Sequence, residues 1–511
     1  MNKLKTRLAA FVGGEGFLGT SMTALLIGVV IAINVIVYSI TNAFGLYLYV
    51  PDDYDMSLSG ATDTMFEGVT PEKPVEIIFC RDKSLLDNGA IDEVVAFYET
   101  AKEFAERYPG LVTIECVNLI TKRNQDGKIR DLDEYRMELE DGSRYPIYEV
   151  SVIFATEDQH KVVTDIASAA FTYDLQTSSS TYGQLTSYNG EELLASMVSW
   201  VLTDDHPTAY FTTFHGETVD ITFANMLTCA GYNINTIDLR SVEMVPEDAG
   251  MLVIYNPVKD FERATEGSGI YSEIEKLDAY LKSGGSLYVA IDPYVPKMKV
   301  LEEFLLGYGI VISEGESETG AVKNIVRDSD NAVTTDYFTL ISELSGTELG
   351  NAVRDDLSPY GSVGVLMRET AALELSGNAK PLLIASDAAE TYAGGVKTGS
   401  EGNYCLAATS VTENENGSVS HVIVVPSIFL CAQDMLMTDG YANRNFVYSV
   451  LENLFGRENM PYGCKTTLFY TNGTLENLTM QSARIYTAAI MMIPAALAIV
   501  GAVIVIRRKN R

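Results

Sequence analysis

The sequence predicts an α/β protein with an apolar helix at each end, and three observations support this fold class. Between residues 75 and 460, short apolar runs typical of buried strands alternate with amphipathic runs typical of helices. Two predominantly apolar segments, 17–40 and 485–506, are each as long as the ~20 residues with which a helix crosses a bilayer. Both segments carry basic residues on the side away from the middle of the chain. We therefore expect one transmembrane helix at each end of a large α/β region.

The basic flanks predict how this arrangement is oriented. The positive-inside rule places the tails 1–16 and 507–511, and so both termini, in the cytoplasm, and residues 41–482 on the extracytoplasmic side of the cell membrane. Residues 41–483 hold 28 of the 36 basic and 68 of the 69 acidic residues, a formal charge of −40. A region this acidic excludes nucleic acid as a partner, because both are polyanions. It favours basic protein surfaces, cations or neutral glycans, or it serves solubility alone.

Few residues outside the predicted sheets suggest chemistry of their own. Asn34 lies inside the first apolar segment, where an amide prefers a partner helix to lipid. It is therefore a candidate membrane helix contact, although a single amide near a helix end is also tolerated. The six cysteines form no C-x-x-C pair, and the four histidines have no ligand spacing. The sequence thus predicts no disulfide scaffold, no metal site and no cofactor.

The predicted extracytoplasmic region begins with an acidic stalk, 41–74, and continues with a small α/β domain, 75–171. In that domain an apolar strand, an amphipathic helix over 91–108 and a second strand over 111–117 precede two further strand-like runs. A strand–helix–strand unit followed by a hairpin is the order of a thioredoxin-like domain. No C-x-x-C follows the first strand, so the redox chemistry of that fold is not expected.

The next part of the chain predicts a second α/β domain. Residues 172–190 are rich in Ser, Thr, Tyr and Gly, which indicates a linker. Apolar strands then alternate with helices over 191–312, a pattern typical of a parallel sheet covered on both faces. Residues 313–460 contain a less regular stretch, then three clear strands and a helix, so they continue this sheet or form a companion lobe. A second stalk, 461–484, leads to the last apolar segment.

Polar residues follow three predicted strands of this second domain. His215-Gly216-Glu217 follows the first strand directly, Asn256 follows the third, and Asp292 follows the fourth. The carboxyl ends of parallel strands meet at one edge, where open α/β sheets hold ligands. We therefore expect a ligand-binding crevice lined by His215, Glu217, Asn256 and Asp292. The alternative is structural, with Gly216 in a tight turn and Glu217 facing the positive end of the next helix.

Absent motifs limit the chemistry of this crevice. No Ser or Cys nucleophile is adjacent to His215, and no G-x-S-x-G elbow occurs, so no catalytic residue is predicted. No G-x-x-x-x-G-K-[ST] sequence occurs either, which excludes ATP hydrolysis through a P-loop. Any energy from ATP must then come from a partner.

An ordered series of motifs spans most of the chain. It comprises Phe-Thr-Thr-x-His-Gly-Glu at 211–217, the segment 245–261 that ends in Pro-x-x-Asp-Phe, the segment 273–285 that ends in Gly-Gly, and Leu-Tyr-Val-Ala-Ile-Asp-Pro at 287–293. The series extends outward to Asn34, Ser-Leu-Ser at 57–59, Asn-Arg-Asn at 443–445 and the final apolar segment. With these motifs the chain resembles the gliding-motility-type auxiliary subunits of ABC transport systems, whose domain is similar to one in intraflagellar-transport proteins.

The resemblance implies a flavodoxin- or glutamine-amidotransferase-like sheet without the amidotransferase nucleophile. It also implies a non-catalytic, membrane-anchored auxiliary subunit of a bacterial ABC-type transport or export system. Its partners would be ABC ATPase and multi-span permease subunits, and its extracytoplasmic domain would bind substrate or a cell-envelope component. The stretch 313–375 matches the series poorly, which leaves the substrate and any motility role open.

Two other functions are compatible with the same sequence. The alternative to the auxiliary subunit is a cell-envelope protein that binds glycan or peptidoglycan without a transporter, since the acidic region is rich in tyrosine, with 29 in the whole chain. The third is an extracytoplasmic hydrolase that uses His215 and Glu217, but no sequence feature names a substrate for it.

Overall fold

The structure is a computed structural model that describes residues 57–88, 92–138, 143–174, 183–265, 271–317, 320–436, 438 and 440–469. The apolar segments 17–40 and 485–506, both predicted tails and Asn34 lie outside these residues.

The prediction of a transmembrane helix at each end requires correction. Among the described residues, no helix is long and apolar enough to cross a membrane. The longest of those helices has 15 residues and carries charged side chains along one face, whereas a span needs ~20 predominantly apolar residues. The structure is a mixed α/β protein with several sheets, and it does not support the membrane and transporter classes that depended on the two apolar segments.

The N-terminal domain is built around a five-stranded sheet. Its elements are α1 (Ala61–Phe66), β1 (Val75–Phe79), α2 (Lys83–Asn88), α3 (Glu93–Arg107), β2 (Val112–Asn118), β3 (Arg123–Asn124), a 3₁₀ turn (Asp133–Tyr135), β4 (Val152–Ala155), β5 (His160–Val163) and α4 (Ile166–Ala170). The strand order is β3-β2-β1-β4-β5, with β1 parallel to β2 and antiparallel to β4. The central strand β1 thus lies between β2, to which the chain returns through a crossover that contains α3, and β4, the first strand of the β4–β5 hairpin.

A side-chain cap stabilises the start of helix α3, and apolar residues on one face of the helix pack it against this sheet. Asp92 accepts a hydrogen bond from the N–H of Val95 and so caps the first turn. Buried apolar side chains recur at helical spacing at Val94, Phe97, Ala101 and Phe104. They pack in one core with the residues of β1 that face the helix.

The second domain begins with a hairpin and then alternates strands and helices. Its elements up to residue 312 are β6 (Phe171–Tyr173), β7 (Leu185–Tyr188), α5 (Gly190–Val201), β8 (Thr208–Thr212), α6 (Ile221–Cys229), β9 (Asn233–Ile237), β10 (Ala249–Tyr255), α7 (Glu273–Lys282), β11 (Ser286–Ala290), α8 (Lys299–Gly307) and β12 (Ile310–Ile312). Strands β9, β8, β10 and β11 lie side by side in this order and are parallel. Residues 172–190, expected to be a linker, contain β7 and the last residues of β6.

The rest of the chain extends the same sheet. The remaining elements are β13 (Glu314–Ser317), β14 (Gly320–Lys323), β15 (Ile325–Asp328), β16 (Thr339–Leu344), α9 (Glu348–Leu357), a 3₁₀ turn (Ser358–Tyr360), β17 (Val365–Arg368), β18 (Leu373–Leu375), β19 (Ala379–Ile384), β20 (Ala389–Ala393), β21 (Val396–Lys397), β22 (Cys405–Glu413), β23 (Val419–Val425), α10 (Gln433–Leu436), α11 (Asn443–Phe455) and β24 (Thr467–Leu468). Strand β23 pairs with β11 in parallel, which gives five parallel strands in the flavodoxin-like order 2-1-3-4-5.

Beyond β23 the large sheet becomes antiparallel. Strands β22, β19, β16 and β17 follow in this order, and β18 joins β22 and β12. Residues 313–460 therefore continue the sheet to eleven strands. Smaller sheets are formed by β13-β14, by β15-β20-β21, and by β24-β7-β6.

The large sheet has a core on each face. In β10, Met251, Val253 and Tyr255 belong to one buried cluster, while Leu252 and Ile254 belong to the other. Helices α6 and α11 contribute to the first cluster, and α7 and α8 contribute to the second. A strand between two such cores must be apolar on both faces, which explains its uninterrupted apolar sequence.

Candidate functional site

The candidate site lies on two loops that follow neighbouring parallel strands. The loop after β8 contains His215 and Glu217, and the loop after β10 begins with Asn256. Strands β8 and β10 are paired, and the chain changes direction across the sheet between them. In open α/β sheets, ligands bind at such a point, outside the carboxyl ends of the strands.

Two carboxylates and an aromatic ring enclose the side chain of His215. Its Nδ1 lies 3.0 Å from Oε1 of Glu217, and its Nε2 lies 3.1 Å from Oε2 of Glu273, the first residue of α7. The imidazole stacks on the ring of Phe261, with 4.0 Å between the ring centroids. The side chains of His215, Glu217 and Glu273 are 4%, 2% and 1% exposed. These three residues are termed the His215 cluster.

The electrostatics of the cluster favour a protonated imidazole. Burial would lower the pKa of His215, but the hydrogen bonds to Glu217 and Glu273 outweigh burial and raise this pKa to about 9. For Glu217, burial acts in the raising direction, yet the hydrogen bond to His215 leaves its pKa below the ordinary value. At neutral pH an imidazolium therefore lies between two carboxylates in a buried position.

Backbone hydrogen bonds around His215 join the loop after β8 to the loop after β10. The carbonyl oxygen of His215 accepts hydrogen bonds from the N–H groups of Val258 and Lys259, each at 2.9 Å. At Gly216, φ is +80°, and a Cβ atom there would lie 2.3 Å from Cγ2 of Val258. Glycine is required on both grounds. The two loops are thus joined to each other, and the imidazole is not presented to a ligand.

Two residues other than glycine have left-handed backbone conformations at this edge. Phe214 has a φ of 93° and Asn256 a φ of 55°. Asparagine tolerates this region, whereas for a bulky aromatic residue the strain is of the order of 1–3 kcal/mol. The N–H of Asn256 donates to the carbonyl of Ala290 at 2.8 Å, which fixes its loop to β11. The strained backbone holds the Phe214 ring outward, and the residue is 53% exposed.

The four residues predicted for the crevice lie on three loops, which follow β8, β10 and β11. His215 and Glu217 are in contact, as described. The Oδ1 atom of Asn256 is buried and has no hydrogen-bond partner in the part of the chain that the structure describes. Oδ1 of Asp292 accepts a hydrogen bond from the N–H of Tyr294 at 2.8 Å and so stabilises the turn after β11. Within the described ranges, no hydrogen bond joins Asn256 or Asp292 to His215.

Glu273 and Phe261 belong to the ordered motif series, but the sequence did not predict that they contact His215. Glu273 is 58 residues from His215, so no local spacing connects them. Its sequence context, Ser272 to Glu275, forms a capping box, and an acidic residue in that position is typical of a helix start. Among the described residues, Oε1 of Glu273 is buried and has no hydrogen-bond partner, an unusual feature that only the structure reveals.

The His215 cluster is poorly suited to bind a metal ion. Both ring nitrogens of His215 face carboxylates, and an imidazolium offers no lone pair to a metal. In the part of the chain that the structure describes, no group of three or more His, Cys, Asp or Glu side chains is arranged to hold a metal.

The surface next to the cluster exposes apolar side chains. They are Phe214, Val219, Ile221 and Val258, with exposed fractions of 53%, 44%, 63% and 48%, and are termed the edge patch. The guanidinium of Arg240 lies over the Phe214 ring, and Nζ of Lys259 lies 5.9 Å from its centroid. This edge thus combines apolar and cationic groups in a chain with a formal charge of −33.

No family model and no curated protein matches the chain. Among solved structures, it is similar to the mmIFT52 N-terminal domain (15% identity, TM-score 0.36, 49% of this chain and 98% of that one). It is also similar to a ThuA-like protein from Bacteroides uniformis (13%, 0.30, 48% and 91%) and to PurLQS from Thermotoga maritima (13%, 0.28, 49% and 99%). The first name agrees with the intraflagellar-transport part of the resemblance. All three scores are below 0.5, so none of these likenesses indicates a function.

Proposed function

We propose that this chain is a non-catalytic auxiliary protein that binds a partner protein through the edge patch. The observation that carries the proposal is the enclosure of His215, which is buried and bonded at both ring nitrogens. A general base needs an available lone pair and a substrate within hydrogen-bond reach. A sealed, charged cluster instead keeps two loops in one conformation.

The edge patch has the composition of a protein-binding surface. Aromatic and arginine side chains are enriched at the centres of interfaces, and here Phe214 and Arg240 lie together. The loops that present the patch are held by the His215 cluster and by the bonds from Val258 and Lys259, so little ordering is needed on binding. The partner surface that fits is apolar, with acidic groups opposite Arg240 and Lys259.

Two features of the sequence indicate the class of partner. The ordered motif series supports an ABC ATPase with a multi-span permease, and the missing P-loop supports a partner that hydrolyses ATP. No membrane-spanning helix of this chain is part of the proposal.

The test is purification of the tagged full-length chain in mild detergent, with mass spectrometry of the proteins that co-purify. The Phe214→Asp/Ile221→Asp variant places two charges in the edge patch, and aspartate suits the left-handed backbone at position 214. We expect a P-loop ATPase and a polytopic permease with the unmodified chain, and at least about tenfold less of both with this variant.

The matched control is Ile129→Asp, which changes a residue that is 75% exposed on the N-terminal domain. It should co-purify with the same proteins as the unmodified chain. Equal recovery with the patch variant would show that the edge patch is not the interface. ATP hydrolysis by the purified chain alone would overturn the auxiliary role, and retention of glycan in place of the two proteins would favour the envelope-binding alternative.

A further inference from the structure

The first and the last described segments of the chain meet at one side chain of α5. Oε1 of Glu191 accepts hydrogen bonds from the N–H and the hydroxyl of Ser59, each at 2.9 Å. Oε2 of the same residue accepts a hydrogen bond from the N–H of Lys465, also at 2.9 Å. Glu191 is only 4% exposed. One buried carboxylate therefore binds a residue near each end of the described chain.

The neighbouring residue holds the C-terminal segment through an arginine. Oε2 of Glu192 lies 3.3 Å from Nη1 of Arg444, and Oε1 accepts a hydrogen bond from Tyr448 at 2.5 Å. Arg444 also donates to Oγ1 of Thr466 and to the carbonyl of Cys464, both at 2.7 Å. Residues of the motifs 57–59 and 443–445, which are far apart in the sequence, thus form hydrogen bonds with neighbouring residues of α5.

The N-terminal segment has a second attachment of its own. The N–H of Leu58 donates to Oε1 of Glu103 at 3.0 Å, and the carbonyl of Leu58 accepts from Nη1 of Arg107 at 3.2 Å. Both partners lie on α3, so this attachment is independent of Glu191. Each of the two segments can therefore be perturbed without a substitution at Glu191, the residue that both of them contact.

We propose that Glu191 couples the segments 57–60 and 464–469, so that detaching either segment from α5 weakens the attachment of the other. A buried carboxylate is stable only while hydrogen-bond donors replace its lost hydration. When the donor from Lys465 or those from Ser59 leave, one oxygen is unsatisfied, and the helix turn must shift or water must enter. Either change weakens the hydrogen bonds at the other oxygen. The coupling goes beyond the proposed partner binding and does not depend on it.

Hydrogen exchange of the full-length chain, read by mass spectrometry on peptides that cover 57–60 and 464–469, tests the coupling. Glu103→Ala loosens the N-terminal segment, and Thr466→Val loosens the C-terminal one with little change in side-chain volume. With Glu191 present, we expect each variant to raise exchange at the opposite end by about threefold or more. Glu191→Gln alone should raise exchange at both ends by about tenfold, because a charge-assisted acceptor is lost.

The decisive comparison repeats both variants with Glu191→Gln, where the effect on the opposite end should disappear. Glu99→Ala, an exposed substitution on α3, should alter neither end. Purely local effects in the presence of Glu191, or effects across the molecule that persist without it, would overturn the proposal. If Glu191→Gln fails to fold, the two single variants still test the coupling itself, because raised exchange at the opposite segment supports it and purely local effects overturn it.

Discussion

Two carboxyl groups from different parts of the chain stabilise the protonated imidazole of His215. Glu217 comes from the same turn, and Glu273 comes from the start of α7, 58 residues further on. The cluster therefore ties the loop after β8 to a helix on one face of the sheet. Removing one partner of a buried charge pair typically costs ~3–5 kcal/mol, because the remaining charge is left without compensation.

This cluster predicts a defined pH dependence of stability. The pKa of His215 is raised from 6.5 to about 9, so its contribution to the free energy of unfolding is complete below pH 6.5 and is lost as the pH rises towards 9. The lowered pKa of Glu217 acts in the opposite sense, with a contribution that is present above about pH 4.5 and lost on acidification. In His215→Gln we expect a loss of stability on the order of 3 kcal/mol between these limits, shrinking towards pH 9.

Urea unfolding followed by circular dichroism at about pH 6 and about pH 9 measures this difference. The control is His160→Gln, which replaces a histidine on the exposed side of β5 and should shift the unfolding midpoint little at either pH. A His215→Gln variant that is equally destabilised at both values would contradict a protonated imidazole in the folded state.

At the scale of elements, α3 depends on Asp92 for its first turn. The side chain caps the helix at Val95 and also pairs with Arg81 at 2.6 Å. We expect Asp92→Ala to lower the free energy of unfolding by about 1–2 kcal/mol, since the cap and the ion pair are both lost. Asp92→Asn keeps a capping oxygen and should cost only a few tenths of a kcal/mol.

Urea titrations of the two variants separate these contributions. The cap matters to the whole N-terminal sheet because α3 buries its apolar face against β1. If Asp92→Asn were as destabilising as Asp92→Ala, the ion pair with Arg81 would carry the effect instead of the cap.

Elements with a clear apolar pattern in the sequence were predictable, whereas short, half-exposed elements were not. Strand β10 (Ala249–Tyr255) lies between two cores, so its sequence is apolar throughout, and it falls within the alternation of strands and helices predicted over 191–312. The stretch 313–375 gave little signal for two reasons. Strands such as β13 (Glu314–Ser317) are short and largely polar, and β15 (Ile325–Asp328) pairs with a strand far along the chain, β20. The apolar segments 17–40 and 485–506 were predicted to span a membrane because of their length. Among the described residues, however, no helix is long and apolar enough to do so.

The candidate site, too, was predictable in part. The position of His215 at the carboxyl edge follows from strand order, and Glu217 follows from its spacing of two residues. The enclosure of His215 could not be predicted, because it depends on Glu273 from another element and on the bonds from Val258 and Lys259 to its carbonyl. Sequence patterns thus located an edge of the sheet, while tertiary contacts determined that His215 is buried there.

At the scale of the whole molecule, α5 belongs to both α/β domains. Its residues Leu194, Met197 and Val198 are buried in the core of the N-terminal sheet. On its other side, Glu192 accepts a hydrogen bond from Tyr448 of α11, which packs against the large sheet. Neither domain can lose its structure without exposing part of this helix. The described body should therefore unfold as one cooperative unit, although its 11-stranded and five-stranded sheets are separate.

Trp200, on α5, is the only tryptophan of the chain and reports directly on this helix. Leu252→Ala creates a cavity in β10, and Ile77→Ala creates one in β1, each at a fully buried position and each costing ~2–5 kcal/mol. Because α5 is shared, we expect Trp200 fluorescence and far-ultraviolet circular dichroism to give one urea midpoint, lowered in both variants. A fluorescence midpoint that moves with Ile77→Ala but not with Leu252→Ala would show instead that α5 unfolds with the N-terminal domain alone.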